Sequence, residues 1–195
     1  MRAFFSNPIV FLFCLLSSAV FAESASTTTT PPKTFHHQYG SFYTKRQVSV
    51  PPEHAIPFDE QTVLPACGIH HTPGTADFFL TEPGIYRVIY SVSLKSAGGM
   101  VALQLNDSVI PGSEMCVGAN TQLSTLGMLI KVCSKSCCDY KLRVINNYPN
   151  SAAGWYSNDI CLGSCCAGDC NVTASLEIER ISDCCDDCCS NCCKK

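Results

Sequence analysis

The chain has 195 residues, with 16 Asp and Glu against 13 Lys and Arg and a hydrophobic content of 46%. The formal net charge of −3 comes with no basic stretch that could hold a phosphate backbone, which sets nucleic-acid binding aside. Sixteen cysteines are hard to carry as idle thiols, because exposed thiols oxidise, exchange and capture metals according to their pKa and access.

Residues 1–22 have the three parts of a secretory signal. Arg2 supplies the positive start, Ile9 to Val20 (IVFLFCLLSSAV) is the apolar core, and Val20 and Ala22 are the small residues expected before a cleavage site. The apolar core is 12 residues long, short of the roughly 20 that a bilayer requires, so cleavage is expected and no membrane span remains after it. Phe13 precedes Cys14, where a lipid-attachment signal has a small residue. Loss of the signal removes Cys14 and Arg2, which leaves 173 residues, 15 cysteines and 12 basic residues. That length suits one domain with tails, placed in a secreted or cell-surface compartment that favours disulfides.

Residues 23–37 open with ESASTTTTPPK, a Ser, Thr and Pro segment too poor in apolar side chains to offset its own ordering, and read as a linker. Residues 38–182 read as strands and turns. Ile85 to Leu94 alternates Tyr86, Val88, Tyr90 and Val92 on one face with Arg87, Ser91 and Ser93 on the other, the period of a half-buried strand. Glu82-Pro83-Gly84 forms the turn before it. Val101 to Leu105 is the next strand, and Asn106-Asp107 predicts a tight hairpin into Ser108 to Ile110. Leu123 to Val132 and Lys141 to Ile145 follow. Val172 to Ile181 is the last, with Val172, Ala174, Leu176 and Ile178 inward and Thr173, Ser175, Glu177 and Glu179 outward. No stretch has capped helical spacing, so the pattern predicts an all-β, antiparallel two-sheet sandwich or barrel.

Four segments taken in order, FFLTEPGIYRVIYSVS (Phe78 to Ser93), VALQLNDSVIPGS (Val101 to Ser113), NTQLSTLGMLIKV (Asn120 to Val132) and NVTASLEIERIS (Asn171 to Ser182), resemble the C-terminal domain of BclA-type collagen-like glycoproteins. That domain is one of the tumour-necrosis-factor-like jelly rolls, which include the complement globular heads. Upstream, Tyr39 to Phe58 is similar to the opening strand and the apolar segment after it. The resemblance implies a ten-stranded TNF/C1q-like jelly-roll sandwich that associates as a homotrimer and serves, without catalysis, in adhesion, surface coating or receptor engagement. The chain departs from the pattern in lacking a Gly-x-y stalk, in the long insertion between Lys141 and Val172, and in its cysteines.

Those cysteines separate into groups. Cys133, Cys137 and Cys138 form CxxxCC, and Cys161, Cys165 and Cys166 repeat the spacing ahead of Cys170. In a jelly roll the two insertions are expected to meet at one end as a cross-linked cap. Neighbouring Cα atoms lie closer than a disulfide prefers, so each doublet is expected to pair outward. Cys67 and Cys116 stand singly, and their spacing leaves a bond between them open. Residues 183–195 form a tail in which Cys184, Cys185, Cys188, Cys189, Cys192 and Cys193 recur every four residues as CCDDCCSNCC. The redox compartment favours interchain disulfides for this tail. A thiolate metal cluster on the same six residues and a disordered tail that oxidises heterogeneously are the alternatives. An odd total of 15 leaves at least one cysteine without an intrachain partner.

Other candidates are weaker. His36, His37, His70 and His71 read as surface residues, since adjacent side chains on an extended segment diverge. Trp155 and Tyr156 in the long insertion are candidates for partner contact or for packing over the barrel rim. Asn106 and Asn171 each begin a glycosylation sequon. No catalytic arrangement or cofactor motif is recognisable. The reading is a secreted structural or adhesive homotrimer, disulfide-linked, with a surface protein or glycan as its unnamed ligand. An extracytoplasmic thiolate metal-binding protein and a receptor-binding secreted ligand are the other readings.

Overall fold

A computed structural model describes residues 35–63, 67–96, 98–119, 123–133, 139–148, 159–163 and 172–183. Every regular element among them is a strand: β1 (Gln38–Thr44), β2 (Ser49–Val50), β3 (Glu60–Val63), β4 (Ile69–His71), β5 (Phe78–Leu80), β6 (Gly84–Val92), β7 (Leu94–Ser96), β8 (Gly99–Leu105), β9 (Ser108–Val109), β10 (Met115–Val117), β11 (Ser124–Val132), β12 (Tyr140–Asn146), β13 (Ile160–Leu162) and β14 (Ala174–Ser182).

The strands form one sheet in the order β11-β6-β14-β1-β3 and a second in the order β10-β8-β12-β5-β4, with β9 hairpinned onto β8. A small third sheet, β2-β13-β7, stands apart from both. All pairings are antiparallel. The ten strands on the two main paths give the two-sheet jelly roll that the sequence motifs imply.

Alternation places the core. In β6, Tyr86, Val88, Tyr90 and Val92 are all fully buried, and they share one apolar cluster with Phe42 of β1 in the same sheet and with Leu142 and Val144 of β12 and Leu103 of β8 in the other. Phe78 anchors an aromatic group, with ring centroids 4.8 Å from Phe42, 5.4 Å from Phe58 and 4.2 Å from the stacked His71 ring. Burying one such phenylalanine contributes about 1.5–3 kcal/mol. The Asn106-Asp107 turn forms as predicted: both residues have positive φ, 49° and 63°, the backbone of a primed hairpin turn that Asn and Asp tolerate.

Several expectations change. Thr173 and Ser93, read as outward, are buried. The Thr173 hydroxyl donates to the carbonyls of Thr44 (3.1 Å) and Arg46 (2.9 Å), and Ser93 Oγ donates to Gly163 O at 2.6 Å. Both are roofed by chain that the strand period cannot announce. Ser91 does face outward but is covered by Thr125, whose hydroxyl lies 2.7 Å away. His71 is no surface residue, since its ring nitrogens each lie 3.0 Å from a carbonyl oxygen, of Asp77 and of Phe58.

Candidate functional site: the two ends of the barrel

The strand register assigns the described cysteines to opposite ends. Val132, the last residue of β11, pairs with Gly84 at the start of β6, and Ala174, the first of β14, pairs with Val92 at its end. Eight residue steps separate Gly84 from Val92, about 26 Å at the usual rise of about 3.3 Å. Cys133 follows Val132 and is buried, whereas Cys161 lies in β13, opposite Ser96 of β7 and beyond the end of β6. Cys133 and Cys161, the described cysteine of each CxxxCC, therefore stand at opposite ends, because β11 runs toward one end of the sheet while β14 starts from the other.

Cys67 and Cys116 are likewise far apart. The backbone N–H of Thr81 donates to Gly68 O at 2.9 Å, which fixes Cys67 beside the β5 end that leads into Gly84. Cys116 pairs with Met100 on β10, the opposite edge strand of the same sheet. Four strand spacings of about 4.8 Å give about 19 Å across the sheet alone. A disulfide spans at most about 7 Å between Cα atoms, so an intrachain bond between this pair is excluded.

The end that holds Cys67 and Cys133 is organised by Arg180. Its side chain is buried, and its guanidinium donates to Pro83 O from Nη2 (2.7 Å) and Nε (3.2 Å) and to His36 O at 3.4 Å. It pairs with Glu82 at 3.1 Å and with Asp183, and it lies 5.3 Å from the centre of the Phe35 ring. A buried cation requires such partners, since several kcal/mol of solvation are lost on burial. Beside it Gln38, whose Cα pairs with that of Arg180, donates from Nε2 to Cys67 Sγ at 3.7 Å. Gly68 allows this approach: it has φ +78°, and a Cβ there would lie 2.1 Å from Gln38 Oε1. The first described residues and Asp183, the last before the cysteine tail, are thus held together at one end.

The far end is built from β13 and its neighbours. Leu162 N–H donates to Val48 O at 2.9 Å and Gly163 N–H to Ser93 O at 3.1 Å. Ile160 packs on Gly99, where a Cβ would meet Ile160 Cγ2 at 2.4 Å. Cys161 is half-buried there and Cys116 is exposed on the outer face of β10; Cys67, Cys116 and Cys161 carry free thiols.

Among the described residues no group of three or more His, Cys, Asp or Glu is placed to hold a metal ion, and no described helix is long and apolar enough to cross a membrane. Cys137, Cys138, Cys165, Cys166, Cys170, the six tail cysteines, Trp155, Tyr156, Asn171 and the signal segment lie outside the described residues. Sequence reading missed Arg180 and Gln38 as organising groups. An arginine in the inward series Leu176, Ile178, Arg180 was the available signal.

Two antiparallel five-strand paths in this order form a jelly roll. Solved structures similar to it include the globular domain of zebrafish complement 1qA protein (8% identity, 74% of this chain and 96% of that one, TM-score 0.48). Others are murine APRIL (8% identity, 75% and 100%, TM-score 0.47) and the Eiger TNF of S. frugiperda (14% identity, 78% and 96%, TM-score 0.43). At such identities the likeness concerns the fold, and no residue role passes from one chain to another. No family model matches the chain, and no curated protein matches it. The narrower resemblance to BclA-type domains is carried by the sequence motifs alone.

Proposed function

We propose that this chain is an exported, non-enzymatic structural or adhesive protein whose jelly roll assembles as a homotrimer and whose cysteines cross-link loops and chains. The observation that supports it most is the Arg180 clasp. By holding Phe35, His36 and Asp183 at one end of the barrel, it starts the cysteine tail beside the segment by which the chain enters the domain. In an assembly with the barrels side by side, the tails leave together, where their thiols are concentrated for interchain bonding. The outer face of the five-stranded sheet suits such an assembly. Leu129 on it is 59% exposed, Gly127 and Thr125 on the same strand are small, and the Glu179 carboxylate is already paired with Arg87 and His37.

Light scattering of the purified mature protein in reductant tests the assembly. A mass three times that of the chain is expected, and a monomer across micromolar concentrations overturns the trimer. Non-reducing electrophoresis tests the covalent part, with high-mass bands that collapse on reduction as the expected result.

A further inference from the structure

Cys67 and Cys116 are both exposed free thiols, but their surroundings differ. Cys116 stands on the outer face of β10 opposite Met100, and among the described residues no side chain donates to its sulfur. Cys67 lies beside Gln38, which is only 2% exposed and donates from Nε2 to Sγ at 3.7 Å. The other end of that amide, Oε1, is buried and has no hydrogen-bond partner among the described residues. A Cβ on Gly68 would lie 2.1 Å from Oε1 and 2.4 Å from Nε2, so the amide fills the space that a side chain next to Cys67 would occupy, and both of its polar ends border that space. Gln38 belongs to the inward series of β1, with Gly40, Phe42 and Thr44. An apolar side chain would fill such a position without leaving a buried acceptor empty.

We propose that Cys67 is a site of reversible oxidation by a hydroperoxide, and that the Gln38 amide holds the sulfenic acid formed there. The thiol sulfur engages one end of the amide only. A sulfenic acid adds an oxygen and its hydroxyl hydrogen one bond beyond Sγ, so Nε2 keeps an acceptor while the new O–H donates to Oε1. Both ends of the amide are then satisfied in the oxidised form, against one in the reduced form, and this difference favours Cys67 over Cys116. Exposure of Cys67 admits the peroxide.

In the step, Cys67 gives its proton to solvent and the thiolate attacks one oxygen of the hydroperoxide. The O–O bond breaks as the S–O bond forms, and the second oxygen leaves as hydroxide or alkoxide, which takes up a proton. Sulfur loses two electrons and the peroxide gains two. A second thiol can then attack the sulfenic sulfur: the S–O bond breaks, an S–S bond forms, and the oxygen leaves as water with the proton of that thiol. The oxidation itself does not depend on the trimer or on the cross-links proposed above.

The test uses purified mature protein, reduced, freed of reductant and treated with equimolar hydrogen peroxide in the presence of dimedone, which traps sulfenic acids. Peptide mapping compares the adduct at Cys67 with that at Cys116 in the same sample. An excess of about fivefold at Cys67 is expected, the weight of one hydrogen bond. Gln38→Met keeps the bulk and removes the amide, and it is expected to bring the ratio to about one with the Cys116 adduct unchanged. Urea makes the same comparison without a variant, and there too the excess at Cys67 is expected to vanish. Equal adducts in the folded protein overturn the proposal. So does an excess that survives in urea, or in a Gln38→Met protein whose circular dichroism spectrum matches that of the unaltered chain. Light scattering in reductant reads the trimer separately, so its loss and the loss of this site are distinguishable.

Discussion

Arg180 lies 3.1 Å from the carboxylate of Glu82 although only 3% of the arginine side chain is exposed, against 38% of the glutamate. The acid is wet and the base is dry, so the pair alone does not offset the cost of burying the guanidinium. Pro83 O and His36 O complete its hydrogen bonds. A planar, multidentate donor is required, and Arg180→Lys is expected to lower stability by about 2 kcal/mol and Arg180→Ala by about 3 kcal/mol. Urea unfolding checks both, and protease cleavage near Phe35 should accelerate in the same order.

Tyr90 is buried in the core, and its hydroxyl donates to Ser113 O. Burial first, and the Glu114 charge second, raise its pKa above the ordinary phenol value. A raised folded pKa means that the folded state holds its proton while an unfolded tyrosine releases one near pH 10. The associated stability is fully present below that pH and is lost as pH rises through the alkaline range, by up to about 1.4 kcal/mol per pH unit. Tyr90→Phe is expected to cost about 1–3 kcal/mol at pH 8, because Ser113 O loses a donor, and to flatten the decline in melting temperature between pH 10 and 12.

Gly99→Ala puts a Cβ 2.4 Å from Ile160 Cγ2 and 3.0 Å from Leu94 Cδ1. Both neighbours are fully buried, and a β-branched methyl group has nowhere to swing. A loss of about 1–3 kcal/mol is expected from overpacking, read by thermal unfolding. Amide exchange at Leu162 and Gly163 should rise more than exchange in β6.

His71→Leu keeps apolar bulk against Phe78 but leaves the carbonyls of Asp77 and Phe58 without the ring nitrogens that now lie 3.0 Å away. Stability is expected to fall by about 1–3 kcal/mol, and the midpoint of urea unfolding measures it.

Leu129→Glu places a charge at the most exposed large apolar side chain among the described residues. The proposed trimer is expected to dissociate to monomer by light scattering, while the melting temperature of the barrel stays within a few degrees, because Leu129 is outside the core.

The strands were legible because their neighbours repeat every two residues. Ile85 to Leu94 and Val172 to Ile181 were located to within two residues of β6 and β14, together with their buried apolar sets except Val172, which is half-buried ahead of β14, and the Asn106-Asp107 turn announced itself by residue type. Short strands without alternation, such as β2 and β13, left no such trace. The burial of Thr173 and Ser93 and the half-burial of His71 were hidden for a related reason: each is covered by a segment outside its own strand, and a period reports only the strand that bears it.

By itself, then, the sequence determined an export signal pattern, an all-β barrel with a sufficient apolar core, and an odd number of cysteines, 15, after residue 22. Only the tertiary structure decided where the four described cysteines, Cys67, Cys116, Cys133 and Cys161, stand relative to one another. Spacing along the chain made the two CxxxCC insertions look alike and brought them together. Strand direction separates Cys133, at the finish of β11, from the start of β14 by the length of β6, because β11 and β14 both run antiparallel to β6.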